Sequence, residues 1–213
     1  MKKLVVMLVL YSFALPAWAT EAKLENIQVE TSVPAVERGA ETLMNACHGC
    51  HGLKYIRYRD LAIFGIDKKK IDAWRGDQPL DAALTSLMPD DAAMQSFGSI
   101  PPDLSLITKA REGGASYVYS YLTGYYLTPE GMPGNHVFPE TKMPDALGIG
   151  GTTDSARRAE LQGKARDVVS FLAWAADPHE EERHTLGYYV IGYLVVLTWL
   201  LYLVKNQVWS RLK

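Results

Sequence analysis

Hydrophobic residues recur at helical spacing in two stretches of the chain, and each set forms a stripe along one side of a helix. The first stripe consists of Val36, Ala40, Leu43 and Met44. The second stripe consists of Leu161, Ala165, Val168, Val169 and Leu172. Ser32 and Pro34 suit an N-cap and a first helical turn, and Asp177-Pro178 stops the second stripe. The pattern therefore predicts one helix that begins after Ser32 and another over residues 155–176.

Gly39 lies within the first of these helices. Because glycine has no side chain, another helix can approach it closely, and we expect the two helices to cross there. Between them, loops rich in proline and glycine separate short helical stretches near residues 80–93, 103–112 and 116–123. The predicted fold is mainly α, with long loops.

The N-terminus has the pattern of a secretory signal peptide. Lys2 and Lys3 precede an almost wholly apolar run over residues 4–14, and Ala17-Trp18-Ala19 places small residues where signal peptidase reads them. An N-terminal membrane anchor is the alternative, but the apolar run is short and is followed by Pro16. We expect residues 1–19 to be removed and the remainder to be exported.

A second apolar segment predicts a transmembrane helix over residues 185–204. It contains no Asp, Glu, Lys or Arg, and twenty helical residues span about 30 Å, the thickness of a bilayer core. The alternative, a buried helix of a soluble protein, lacks a second long apolar segment to enclose it. Lys205, Arg211 and Lys213 follow the segment, so the positive-inside rule places residues 205–213 in the cytoplasm and residues 20–184 in the periplasm, on a bacterial cytoplasmic membrane.

Composition and charge narrow the class of protein. The 213 residues are 48% hydrophobic and 22% charged, which excludes a disordered or low-complexity chain. The formal net charge is −2, but residues 20–186 hold 17 basic and 24 acidic residues, so the exported part carries about −7. We therefore expect one folded, acidic domain on a single membrane anchor.

The motif with the most specific chemistry is Cys47-His48-Gly49-Cys50-His51. C-x-x-C-H is typical of covalent attachment of c-type haem. In a helical turn, Cys47, Cys50 and His51 lie side by side, so two thioethers can hold the porphyrin while His51 binds its iron. We expect His48 to be a solvent-exposed residue without a role.

Two other readings of the motif fit the sequence less well. A redox-active dithiol of the thioredoxin type needs a βαβ context, which the pattern before Cys47 does not predict. A structural zinc site needs four Cys or His ligands in paired spacing, and His136, His179 and His184 are isolated and distant.

The second axial ligand of the iron is left open by spacing alone. Met88, Met132 and Met143 each precede a proline, which favours extended loops. Met94 is expected in the core, and Met44 belongs to the helix before the motif. Met132, His136 and Met143 therefore remain as candidates, of which a methionine would raise the potential and His136 would lower it.

Six short stretches of residues 34–213 resemble one family. The chain around them has the order of a signal peptide, a C-x-x-C-H motif, an acidic domain and a C-terminal anchor. The six stretches are residues 37–39 (ERG), 58–61 (YRDL), 101–105 (PPDLS), 110–114 (AREGG), 121–125 (YLTGY) and 171–178 (FLAWAADP). They resemble cytochrome c1, the haem subunit of ubiquinol-cytochrome c oxidoreductase. The resemblance implies a cytochrome c-like domain with one covalently attached haem c.

The resemblance also assigns roles to residues around the haem. It implies that Met143, in the loop over residues 138–144, is the sixth ligand and joins His51 on the iron. Arg111 and Tyr117 resemble residues that bond a haem propionate. Pro102 resembles the wall on the histidine side.

One-electron transfer follows from this resemblance, with no bond made or broken in a substrate and no catalytic residue required. Electrons would arrive from the Rieske iron-sulfur protein and leave to a cytochrome c acceptor, with cytochrome b and membrane lipid as neighbours in a dimeric complex. Acidic residues would steer a basic acceptor, with Asp81, Asp90 and Asp91 as candidate docking charges. The alternatives are a free-standing membrane-anchored cytochrome c that shuttles electrons, and a haem enzyme with an open iron position.

Overall fold

The computed structural model describes residues 22–212, so the predicted signal peptide over residues 1–19 lies outside the described residues. The helices are α1 (Val33–Ala46), a 3-10 helix (Tyr58–Phe64), α2 (Lys68–Arg75), α3 (Asp90–Phe97), α4 (Ile107–Ala110), α5 (Gly114–Thr123), α6 (Ser155–Ala176) and α7 (Glu180–Ser210). The strands are β1 (Leu53–Arg57), β2 (Ala83–Leu84), β3 (Tyr125–Leu127) and β4 (Pro133–Asn135). β1 pairs with β2 and β3 with β4, both antiparallel. The expected mainly helical fold is confirmed.

Helices α1 and α6 cross at Gly39 and form the centre of the core. A Cβ atom built on Gly39 would lie 1.9 Å from the carbonyl oxygen of Asp167, so the two backbones nearly touch. Beside the crossing, the Arg38 guanidinium donates two hydrogen bonds to the Asp167 carboxylate, at 2.8 and 2.9 Å. Both predicted stripes are buried, and the expected crossing is confirmed.

Aromatic side chains extend this core towards the 3-10 helix. The Phe64 ring meets the Trp174 ring edge-on, with centroids 4.5 Å apart, and also contacts Phe171. Leu61 and Tyr58, on the same short helix, are buried. The 3-10 helix therefore covers one side of the α1–α6 pair.

An extended N-terminal segment, residues 22–30, lies against α5. The backbone N–H of Glu25 donates to Ser120 Oγ at 2.7 Å, and that of Ile27 donates to Ser116 Oγ at 3.3 Å. Ile27 and Val29 pack on the core, while Gln28 between them and the charged residues Lys23, Glu25 and Glu30 are exposed. The segment thus fixes α5 from the outside.

Several shorter elements differ from the sequence prediction. Residues 80–93 were expected to be helical, but they contain β2 and only the first turn of α3. Helix α2 was not predicted because its sequence, KKKIDAWR, buries only Ile71 and carries no apolar stripe. Ser32 takes the N-cap position of α1, but its hydroxyl donates to Glu30 instead of capping the helix.

The C-terminal helix α7 is long and apolar enough to cross a membrane, and none of its described residues is buried. It extends beyond the predicted segment 185–204 at both ends. Only residues 177–179 separate it from α6. Asp177 accepts hydrogen bonds at this junction from Lys109 at 3.3 Å and from Arg183 at 2.6 Å.

Candidate haem site

The C-x-x-C-H motif forms a tight turn directly after α1. Cys47 is the C-cap of the helix, and its carbonyl oxygen accepts hydrogen bonds from the N–H groups of Cys50 at 3.0 Å and His51 at 2.9 Å. Burial, with a smaller contribution from the neighbouring Cys50, raises the pKa of the Cys47 thiol to about 11. The turn presents the two thiols and the imidazole to one cavity, as the spacing predicted.

His51 is held in one tautomer by the backbone. Its Nδ1 lies 2.8 Å from the carbonyl oxygen of Pro102, and because a carbonyl can only accept, Nδ1 carries the proton. In a neutral ring, Nε2 then keeps its lone pair for a metal. Burial lowers the pKa of His51, which favours this neutral form.

The cavity next to this turn has a volume of about 540 Å³. Its walls are largely apolar and include Ile107, Val118, Leu122 and Leu172. A volume of this size suits one large ligand. The cavity is enclosed by the motif turn, α5, α6 and the loops over residues 97–104 and 138–144.

Met143 lines the same cavity, on the loop between β4 and α6. One imidazole nitrogen and one thioether sulfur are a donor set that suits haem iron in an electron carrier, and the two cysteines suit its covalent attachment. The residues present therefore fit a c-type haem.

The three remaining predicted residues also line this cavity: Pro102, Arg111 and Tyr117. Arg111 is the C-cap of α4 and is exposed, while Tyr117 is half-buried on α5. Arg111 additionally lines a neighbouring cavity of about 320 Å³ with Lys54 and Tyr55. The expected contact of Arg111 and Tyr117 with a haem propionate stays a prediction.

The other candidate ligands lie elsewhere. Met132 is at the tip of the β3–β4 hairpin with 65% of its surface exposed, and the His136 ring stacks on Tyr126 with centroids 4.3 Å apart. Neither lines the cavity. Met94 was expected in the core, but it is half-exposed on α3, so that prediction was wrong.

His48 was expected to face solvent, and this too was wrong. The ring is only 1% exposed, and its Nε2 lies 3.3 Å from the hydroxyl of Tyr58. Burial lowers the pKa of His48, with the His51 backbone opposing the shift. His48 does not line the cavity but packs against Tyr58, because the chain after the motif returns to it through the buried 3-10 helix.

Sequence reasoning missed a set of hydroxyl groups around Met143. The Tyr125 hydroxyl donates to the carbonyl oxygen of Met143 at 2.9 Å, and the Met143 N–H donates to Thr141 Oγ1 at 3.2 Å. Burial raises the pKa of Tyr125, so the phenol keeps its proton. Tyr117 and Tyr121 share one face of α5 through their four-residue spacing, and Tyr125 continues that spacing just beyond the helix, at the start of β3. This repeat of tyrosines is the signal that could have indicated the group.

A helical domain whose C-x-x-C-H turn opens into a large apolar cavity, carried on an apolar helix able to cross a membrane, defines the class of membrane-anchored c-type cytochromes. The profile described as Cytochrome C1 family matches residues 18–212. The chain belongs to the cytochrome c1 family, the haem-carrying electron-transfer subunits of respiratory complex III.

Two individual relatives, named cytochrome c1 and cytochrome b/c1, agree with this assignment. The chain is 34% identical to cytochrome c1 of Allochromatium vinosum over 244 residues, which covers 99% of each chain. It is 32% identical to a protein named cytochrome b/c1 from Bradyrhizobium diazoefficiens, covering 83% of this chain and 33% of that protein. A solved structure titled "Hyperthermophilic respiratory Complex III" contains a chain that is 20% identical, with a TM-score of 0.47 and coverage of 100% and 98%.

Proposed function

We propose that this chain carries one covalently attached haem c and passes single electrons from a Rieske iron-sulfur protein to a cytochrome c acceptor. The observation that carries the proposal is one cavity with Cys47, Cys50 and His51 on one wall and Met143 on another. Cys47 and Cys50 would form the thioethers, and His51 and Met143 would be the axial ligands. When bound, the haem supplies a one-electron Fe(III)/Fe(II) couple whose potential the methionine sulfur raises.

The protein's own residues prepare the site for this group. The Pro102 carbonyl fixes the His51 ring so that Nε2 is free to bind a metal. The apolar side chains of Val118, Leu122 and Leu172 exclude water from the cavity, which favours the less charged, reduced state of an iron centre. Arg111 and Tyr117 would bond the haem propionates.

The sequence and the long apolar helix α7 support a membrane arrangement. We propose cleavage after residue 19, a periplasmic haem domain over residues 20–184, a transmembrane helix over 185–204 and a cytoplasmic tail over 205–213. The proposed location is a bacterial cytoplasmic membrane, in contact with lipid. The joint name cytochrome b/c1 of one relative supports cytochrome b as a partner, within a dimeric complex that also contains the Rieske protein.

The acidic surface supports a basic electron acceptor. Asp81, Asp90 and Asp91 are exposed, and Asp90 and Asp91 open α3, the helix whose C-terminal Phe97 lines the cavity. Complementary charge raises the encounter rate between redox partners. These three carboxylates are the proposed docking charges.

Replacement of the proposed sixth ligand tests the site. In the full-length, haem-loaded protein in mild detergent, Met143→Leu should abolish the sulfur-to-iron absorption band of the oxidised state, expected near about 695 nm, and lower the reduction potential. Met132→Leu, at the exposed hairpin tip, is the matched control and should change neither. Loss of the band in Met132→Leu, with Met143→Leu unchanged, would move the ligand to Met132. Absence of the band already in the wild type, with a haem spectrum that changes in His136→Gln and not in Met143→Leu, would move it to His136.

Purification tests the assembly against the free-standing shuttle. In mild detergent, the chain should co-purify with cytochrome b and a Rieske protein. If the chain is recovered alone as an intact haem protein, the free-standing electron shuttle is correct and the subunit role is wrong.

A further inference from the structure

The segment that carries Met143 has little regular structure of its own. Residues 136–154 connect β4 to α6 without a helix or strand. A loop of this kind normally allows its side chains several positions. Yet a thioether ligand must be held at one place to bind a metal in preference to other ligands. The residues that fix Met143 are therefore of functional interest.

Both backbone polar groups of Met143 are bound by side-chain hydroxyl groups. The carbonyl oxygen accepts from the Tyr125 hydroxyl at 2.9 Å, and the N–H donates to Thr141 Oγ1 at 3.2 Å. Thr141 Oγ1 in turn contacts the hydroxyl of Tyr121. The ligand residue is thus tied at both ends to two tyrosines, one on α5 and one that follows it.

The position of the protons assigns a direction to these bonds. Tyr125 has a single hydroxyl proton, and the Met143 carbonyl can only accept, so that proton lies between them. The Tyr121 hydroxyl lies 3.4 Å from the Tyr125 hydroxyl, a longer contact than the 2.9 Å bond between Tyr125 and Met143. Tyr125 is therefore the direct donor to the ligand residue, and Tyr121 acts one step further away.

Tyr125 is itself rigidly held. Its side chain is 3% exposed, and its ring meets the Tyr121 ring edge-on with centroids 5.8 Å apart. The paired residue Asn135 is fully buried, accepts the N–H groups of Val137 and Phe138 on Oδ1, and donates to the Tyr121 carbonyl. The beginning of the Met143 loop and the donor to Met143 are thus fixed by the same few residues.

We infer that Tyr125 is a positioning residue for Met143, whose buried hydroxyl holds the loop backbone so that the thioether stays directed at the cavity. This inference rests on the proposed function, in which Met143 is the sixth ligand. It adds a residue that does not line the cavity and that the C-x-x-C-H motif does not reveal.

The test uses the full-length, haem-loaded protein in mild detergent and the variant Tyr125→Phe, which removes only the hydroxyl. The matched control is Tyr119→Phe. Tyr119 is on α5 and is, like Tyr125, buried, with 1% of its surface exposed. Its hydroxyl accepts from Arg166 at 3.3 Å, and the residue does not line the cavity. Tyr119→Phe loses this one hydrogen bond of a buried phenol, whereas Tyr125→Phe loses the bond to Met143 and the longer contact with Tyr121 at 3.4 Å.

Carbon monoxide is the probe, because it binds reduced haem iron only where the sixth ligand has left. Tyr125→Phe should raise the carbon monoxide association constant about fivefold, the equivalent of about 1 kcal/mol for one lost hydrogen bond. It should also weaken the sulfur-to-iron absorption band. Tyr119→Phe should lose comparable unfolding free energy with carbon monoxide binding unchanged, which separates ligand positioning from general stability.

Two outcomes contradict the inference in distinguishable ways. If Tyr125→Phe binds carbon monoxide like Tyr119→Phe while Met143→Leu loses the absorption band, Tyr125 is not a positioning residue and the ligand assignment stands. If Met143→Leu keeps the band, the proposed ligand is wrong and the inference falls with it. Should Tyr125→Phe not accumulate as a haem protein, Thr141→Val, which removes the hydroxyl that receives the Met143 N–H, decides by the same measurement.

Discussion

The two histidines of the motif, His48 and His51, are three residues apart and have different surroundings. His51 faces the cavity and is oriented by the Pro102 carbonyl. His48 faces the opposite side, against the buried Tyr58. Both rings are buried, so both have a lowered pKa, but only one of them is placed to bind a metal. The other contributes to folding alone.

His48 predicts a specific dependence of stability on pH. In the unfolded chain, the imidazole binds a proton below about pH 6.5, whereas the buried ring resists it. The unfolded state therefore binds more protons as the pH falls through this range, and the unfolding free energy of the haem-loaded protein should decline. Above this range both states are neutral and the contribution is constant.

Denaturant unfolding at a series of pH values measures this slope. His48→Gln should reduce it. An equal slope in wild type and His48→Gln would show that His48 does not titrate with folding.

For individual residues, the sequence predicted those whose spacing is fixed by covalent chemistry. It did not predict those whose position depends on tertiary packing. Cys47, Cys50 and His51 could be found because attachment to one porphyrin requires their spacing. The burial of His48 depends on the return of the chain through Tyr58, and the role of Tyr125 depends on a loop that begins eleven residues later, at residue 136. Contacts of that kind leave no local pattern.

Among the secondary structure elements, the crossing of α1 and α6 has the tightest contact. At Gly39, an added Cβ would meet the Asp167 carbonyl oxygen at 1.9 Å and the Cβ of Phe171 at 2.9 Å. One of those atoms belongs to backbone and cannot turn away. The helices must separate to admit any side chain.

Gly39→Ala should therefore lower the unfolding free energy by about 3 kcal/mol, the upper range for overpacking. Gly163→Ala is the matched control on α6, because its added Cβ would meet no atom within 4 Å. That change should raise the unfolding free energy by about 0.5–1 kcal/mol, since alanine loses less backbone entropy in a helix. Equal denaturation midpoints for Gly39→Ala and wild type would contradict the close crossing.

Long elements with an apolar stripe were predictable, and short ones were not. The stripe of α6 indicated the helix because 22 residues repeat the pattern several times, and Asp177-Pro178 indicated its end after Ala176. Helix α3 has eight residues and buries only Ala93, so the pattern placed it too early in the chain. The two short strand pairs depend on tertiary contacts and carry no alternation of their own.

For the whole molecule, charge predicts how electron transfer responds to salt. With about −7 on residues 20–186, reduction of a cationic cytochrome c acceptor should slow as ionic strength rises, because mobile ions screen the attraction. Asp90→Asn combined with Asp91→Asn should reduce the bimolecular rate and its salt dependence. Stopped-flow kinetics at several salt concentrations measures both.

The matched control changes the same charge near the membrane, with Glu181→Gln combined with Glu182→Gln. Both residues are exposed at the start of α7. If the two double variants behave alike, only net charge matters, and Asp90 and Asp91 are not docking charges.

The junction at residues 177–179 limits how far the domain can travel. Three residues reach at most about 11 Å. Within this connection, Asp177 accepts hydrogen bonds from Arg183 and Lys109, which lower the pKa of its carboxyl and restrict the motion of the connection. A domain joined to its membrane helix by so short a connection cannot move across the membrane surface to reach a distant electron donor. A partner that delivers or removes an electron therefore has to approach the haem cavity of this domain by its own motion.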